Sequence, residues 1–381
     1  MGDKDVRVRV CFLLIGDVDT KSQSFSAEVL IEARWVSTPE EEPFDPKLVV
    51  TNLESTVKEK TWENKNVMDL GEGRGKREYH TLSWRLRGVF YENMELKSFP
   101  RDIQDLGVRV SSELHASEIQ LSVDESRVGT VDPDTFRDGE EWILFNHVET
   151  EHVPEESQSE VGRARRVEKG YTAGSVIAMC RVARRTKFFI VNNVMLMFSL
   201  VVLSLTCFAF DPGWNTSRIS GSMTLLLVAV AFKLSVAGNL PVISYLTYLD
   251  AYILGAMLYL CLMTVLFALI SPFKEEDYAR TIDIGCIIFL MLFIIIFHVI
   301  YGIVFFKNTS KKHEEMKRKD QEYEVKIQKL LEKEKAGSKG NSRQGSTKSS
   351  AGTNAQKGVA LEDVKVDSRP STAHDVKEEE V

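Results

Sequence analysis

Cysteine is scarce, with five in 381 residues. Cys207, Cys261 and Cys286 sit among apolar residues, and Cys11 and Cys180 stand far apart in the N-terminal part. That excludes a disulfide framework and a zinc spacing. Cys11 and Cys180 read as two buried thiols, with a single bridge between them as the alternative. The seven histidines show no metal spacing either. The opening MGDKDVRVRVCFLLIG has only a short, alternating apolar run, unlike a secretory leader. Val6 stands where the myristoylation pattern needs Ser or Thr. The expectation is either a leader missing from the sequence or a cytosolic N-terminus. GEGRGK has glycines and a lysine but not the P-loop spacing, so it reads as a hairpin tip. No nucleophile–base pair is evident. An enzyme is therefore not expected, and neither is a cofactor, a metal or a nucleic-acid partner.

Charge is missing from one long block. The chain is 27% charged and 44% hydrophobic overall, yet charges are rare across 188–306. Four apolar segments, at 188–210, 219–237, 246–270 and 282–306, each have the length a helix needs to cross about 30 Å of hydrocarbon. The links FDPGWNTSR, NLPVISYLTY and SPFKEEDYAR are short. Ahead of this block, VRVRV, SFSAEVLIEARW, YHTLSWRLRGVFY, LGVRVSS, SEIQLSV and EWILFNHV alternate as half-buried strands do. Turn-rich stretches such as STPEEEPFDP and VDPDTFRDGEE separate them. Residues 1–186 are thus expected to form an all-β sandwich or barrel, and 187–306 a four-helix membrane domain. A charged, solvated helix is expected at 307–334, its narrow apolar stripe of Met316, Tyr323, Ile327 and Leu330 too short for a coiled coil, and a disordered tail at 335–381.

The second apolar segment carries the sharpest signal. In RISGSMTLLLVAVAFKLSVAGNLP, Ser220, Thr224, Leu227, Ala231, Leu234 and Gly238 recur at spacings of 4, 3, 4, 3 and 4, so a helix puts them on one stripe. Lipid disfavours such hydroxyls. A water path shared by several copies would use them, with leucine as a dewetting gate. Close helix packing by small residues is the alternative.

These residues belong to a wider pattern. The pore-helix sequence, FDPKLVVTN (Phe44, Pro46, Leu48, Asn52), FPRDIQDL (Phe99, Pro100, Asp102, Gln104), GEEW ending at Trp142 and RRTKFFIVN (184–192) together resemble the pentameric ligand-gated ion channels, the Cys-loop receptor superfamily, across 1–306. The resemblance implies an immunoglobulin-like ligand-binding sandwich, a homo- or hetero-pentamer in a lipid bilayer, and a permeant inorganic ion. A small ligand would bind between sandwiches, or protons would act, with His80, His115, His147 and His152 as titratable groups. It implies a multi-pass protein of the plasma membrane with its ligand domain outside. It makes Phe99, Pro100, Asp102, Arg184, Pro241 and Tyr245 the coupling residues.

The departures are equally specific. The signature disulfide positions are Glu92 and Leu106, so packing must hold that loop, as in bacterial members. The ligand-site positions fall on Leu30, Thr51 and Glu113, with Tyr171 nearby, which is no aromatic cage for an amine. Glu113 either pairs with a cationic ligand or is a solvated edge charge. Arg163, Arg165 and Arg166 form a charged loop. Leu196 replaces the proline of the first span, which predicts less kinking. Selectivity falls to Ser217, Arg218 and Lys233. Lys233 either reaches water in the lumen, which favours anions, or snorkels to the interface. Basic residues flank the spans on the side of the termini, which favours cytosolic ends and conflicts with the topology the resemblance implies. The alternative function is a non-conducting sensor of the same fold that signals through its tail.

Overall fold

The computed structural model describes residues 4–37, 44–69, 76–153, 174–210, 215–238, 240–273 and 279–344. The chain divides into two compact units, Met1–Leu331 and Glu332–Val381. The strands and the apolar helices all lie within the first.

Among the described residues, nine strands build two sheets. One has the order β4 (Leu53–Asp69), β5 (Lys76–Tyr91), β2 (Ser24–Ser37), β1 (Lys4–Asp19), β7 (Ile119–Val123). The other has the order β3 (Leu48–Val50), β6 (Ile103–Ser112), β9 (Ser175–Arg184), β8 (Trp142–Val153). Pairing is antiparallel except between β1 and β7. The period-2 pattern places the core. On β2, Phe25, Ala27, Val29, Ile31, Ala33 and Trp35 all point inward, none more than 3% exposed. On β1, Val6, Val8 and Val10 do the same until a register shift between Phe12 and Leu14 hands the inward place to Ile15. Val108, Val110, Val176 and Ala178 of the second sheet close the same core. Cys11 and Cys180 are both buried free thiols, so no bridge joins them.

Asn52 shows why FDPKLVVTN is built as it is. Its side-chain amide donates to the carbonyls of Tyr91 (3.0 Å) and Gly107 (2.7 Å), and its oxygen accepts from Arg109 N (3.0 Å). One side chain thereby satisfies three backbone groups of β5 and β6. Nearby, Ser112 Oγ donates to Pro46 O at 2.6 Å.

Among the described residues, four helices are long and apolar enough to cross a membrane: α1 (Lys187–Ala209), α2 (Asn215–Ala237), α3 (Tyr248–Ile270) and the apolar part of α4 (Ala279–Gln344). By length and composition this is a multi-pass membrane protein. Thr247 caps α3 reciprocally with Asp250. α3 lies innermost, with Leu249, Tyr252, Ala256, Leu260, Met263 and Phe267 at most 2% exposed. Gly255 lets α4 come close, because a Cβ there would lie 2.5 Å from the Phe297 ring.

α1 has no proline, yet a π turn at Ile190–Val194 and a 3-10 stretch at Leu205–Ala209 interrupt it. One expectation needs correction. The charged segment after Phe306 is not a separate, solvated helix. It continues the fourth span in one 66-residue helix and packs on the sandwich. The helix is also described ten residues into the segment read as tail, to Gln344, and 345–381 lies outside the described residues.

Candidate functional site

Three sets of residues come together in the first unit. The first is the polar stripe of α2. Ser220, Thr224, Leu227, Ala231, Leu234 and Gly238 are all exposed, with Leu227 at 68% and Leu234 at 69%. The opposite face, Arg218, Ser222, Ala229 and Val236, is buried in the bundle. Thr224 Oγ1 donates to Ser220 O at 2.9 Å, which keeps the hydroxyl on the helix surface. Thr216, Ser220, Met223, Thr224 and Leu227 line an open groove of about 460 Å³. Ser217 and Lys233 are half-buried beside the stripe.

Arg218 is not on the stripe. It is 1% exposed, and its guanidinium meets Asp283 of α4 through two contacts of 2.9 Å. It also donates to Phe210 O and lies over the rings of Phe208 and Phe267. The positive charge is neutralised inside one bundle and is withdrawn from the selectivity candidates. Nothing in the sequence marked Asp283 as its partner.

The second set joins the sandwich to the spans. Asp102 and Arg184 are 1% and 4% exposed and pair at 3.0 Å. Gln104 Nε2 donates to Asp102 (2.6 Å) and to Glu95 O (3.0 Å), and Glu141 takes a second side of Arg184. The guanidinium lies 4.1 Å over Trp142 and 5.1 Å over Phe99. Leu96 and Phe99, both at most 2% exposed, belong to the core of the spans rather than of the sandwich. Backbone bonds fasten the same loop to the start of α3, Tyr248 N to Lys97 O and Leu249 N to Phe99 O, both 3.3 Å. Leu96 N donates to Tyr245 Oη at 3.0 Å. The structure therefore brings Phe99, Asp102, Arg184 and Tyr245 to one junction. Pro241 is half-buried in the α2–α3 link. The loop is held without a disulfide, as expected: Leu106 is fully buried, and Glu92 pairs with Arg109 at 3.6 Å.

Of the third set, the sequence marks only Met316 and Tyr323. α4 presents Thr309, His313, Met316, Asp320 and Tyr323 at spacings of 4, 3, 4 and 3, a mostly polar stripe. Met316 packs with Phe145 and Ala183. Tyr323 donates to Gly129 O at 2.5 Å, and Arg101 donates to Ser310 Oγ at 3.3 Å. Asp320 accepts from both the backbone N and the Nδ1 of His147, which is 2% exposed. Arg181 can only donate to Nε2 at 3.2 Å, so the imidazole proton sits on Nδ1. Glu149 bridges Arg181 (2.7 Å) and Lys319 (2.8 Å), and Arg181 also meets Asp105 (2.6 Å).

Burial pushes the Glu149 carboxyl up, but the hydrogen bonds from Arg181 and Lys319 win and hold it down at about 2, against an ordinary 4.5. A depressed carboxyl adds stability that is complete above the ordinary value and lost as pH falls through the lowered one. The docked helix is expected to loosen between pH 4.5 and about 2. Hydrogen exchange of the amides from Met316 to Tyr323 measures this, and Glu149→Gln should flatten the response in that window.

Of the ligand-site positions, Leu30 is half-buried on β2, Thr51 donates its backbone N–H to Arg109 O, and Glu113 is exposed. No hydrogen bond or ion pair links the three among the described residues. Tyr171, Arg163, Arg165 and Arg166 lie outside the described residues. His115 and His152 are exposed, whereas His80 and His147 are buried. No protein-family model matches the chain, and no curated protein matches it either.

Proposed function

We propose that this chain is one subunit of a ligand-gated ion channel whose pore is lined by the exposed stripe of α2. The observation that carries the reading is that stripe. A membrane helix buries Arg218 and Ser222 within its own bundle while leaving Ser220, Thr224 and Gly238 in line on the outside. Beyond the Ser220 carbonyl that Thr224 already bonds within its own helix, lipid offers these hydroxyls nothing, whereas five copies around a shared aqueous hole give them water and ions. In this reading the sandwich is immunoglobulin-like and faces outward at the plasma membrane. Ligand contacts between sandwiches bias two states of the pore, and the Phe99–Asp102–Arg184–Tyr245 junction carries the movement.

The test is thiol accessibility in a background lacking Cys261 and Cys286. Purified protein in planar bilayers should pass current that a water-soluble thiol reagent blocks when Cys replaces Ser220, Thr224 or Leu227. The buried Ala229→Cys should be insensitive. Absence of current under every ligand and pH tried would favour a non-conducting sensor, a reading for which the docked α4 speaks, since it leads from the sandwich towards the tail.

Selectivity rests on Lys233 in this reading. Lys233→Gln is expected to move the reversal potential towards that of cations under a salt gradient. An unchanged potential would mean that the lysines do not face the ion path.

A further inference from the structure

A cavity of about 660 Å³ opens at one end of the sandwich, and no residue of the α2 stripe, the junction or the docked α4 lines it. Its size is typical of small-molecule sites. Five rings line it: Trp35, Phe44, Trp62, His80 and Trp84. They come from β2, the segment before β3, β4 and β5. Trp35 stacks on His80 (5.5 Å between centroids) and meets Phe44 edge-on (5.9 Å). Three carboxylates complete the wall, Asp45, Glu59 and Glu63, against one lysine, Lys47.

These carboxylates are placed for use. Register puts Glu59 and Glu63 opposite Leu86 and Leu82, on the face of the sheet that carries Trp84. Glu63 is held by His80 Nδ1 at 3.1 Å. The backbone N of Lys47 donates to Asp45 Oδ1 at 3.0 Å, which fixes that turn. Asp45 and Glu59 make no ion pair among the described residues. One cation already uses a ring here, as Lys4 Nζ lies 5.3 Å over Phe44.

We propose that this cavity binds an organic ammonium ion carrying an aromatic or aliphatic body, an arylalkylamine being the fitting class. The body lies against the rings, and the ammonium donates to one of the two strand carboxylates, Glu59 or Glu63, which four residues of extended strand set about 13 Å apart. A neutral molecule leaves the carboxylates without a counter-charge, and an anion is repelled by them. The site needs one sandwich only. It stands whether or not the chain forms a pore, and its ligand differs in place from anything bound between subunits.

The experiment uses the full chain in detergent, titrated calorimetrically with phenethylamine, 2-phenylethanol and phenylacetate. The amine is expected to bind at least ~10-fold more tightly than the alcohol, and the acid not at all. Glu59→Gln with Glu63→Gln, both exposed, should weaken the amine ~10-fold or more without lowering the thermal midpoint of the free protein. Thr61→Trp, at an exposed position on the cavity wall, should fill the space and abolish binding. Equal affinity for amine and alcohol, no binding of the amine, an unchanged affinity in the double variant, or binding that survives Thr61→Trp would each overturn the proposal.

Discussion

Asp283→Asn is expected to lower the stability of the solubilised protein by about 3–5 kcal/mol, seen as a fall of roughly 10 °C in its thermal midpoint. The size follows from what the substitution leaves behind. Arg218 is 1% exposed and has no other carboxylate among the described residues, so its charge would stay in the bundle with only the Phe210 carbonyl and two ring faces. Breaking one side of a buried pair is far more damaging than removing both. Arg218→Met combined with Asp283→Leu should therefore be milder than Asp283→Asn alone. Exchanging the charges, Arg218→Asp with Asp283→Arg, should recover part of the loss. A midpoint within about 1 °C of the parent for Asp283→Asn would show that water reaches the guanidinium, and Arg218 would then not be a charge sealed inside the bundle.

Asp102→Asn should have its main effect at the junction. Arg184 would keep Glu141, but that carboxylate is 52% exposed and a weak partner. About 3 kcal/mol is at stake, so amides that open with the junction should exchange roughly 100-fold faster. Leu96, Tyr248 and Leu249 are the ones to follow, since their N–H groups bond across the junction, to Tyr245 Oη, Lys97 O and Phe99 O. Glu141→Gln is the control, with an expected cost of about 1 kcal/mol or less. Fast exchange confined to the sandwich strands, with these three amides unchanged, would place the role of Asp102 inside the sandwich.

Much of the fold is legible in the chain itself, because it follows from periodicity. Alternation in VRVRV and in SFSAEVLIEARW locates the inner faces of β1 and β2, and the 4-3-4-3-4 spacing locates the stripe of α2. The residues of the junction are marked by their motifs. What stays hidden depends on partners distant in sequence. Asp283 lies 65 residues from Arg218, at the head of another helix, and no local pattern joins them. The docking face of α4 escapes because Thr309, His313 and Asp320 look like solvated residues until His147 and Arg101 are opposite them. The cavity is equally invisible, since Trp35, Phe44 and Trp84 come from separate segments and each alone reads as core. The irregular α1 has no proline to announce it, and the sequence shows no reason for a π turn at Ile190.

The unbroken length of α4 has a mechanical consequence. A rigid body pinned at a single point can swing in any direction. The sandwich is pinned at the Phe99 loop and again along a rod that is rooted in the bilayer. Any tilt must then either bend the rod, drag its membrane half sideways, or peel the rod away, so any displacement of the strands is mechanically shared with the membrane half of that helix.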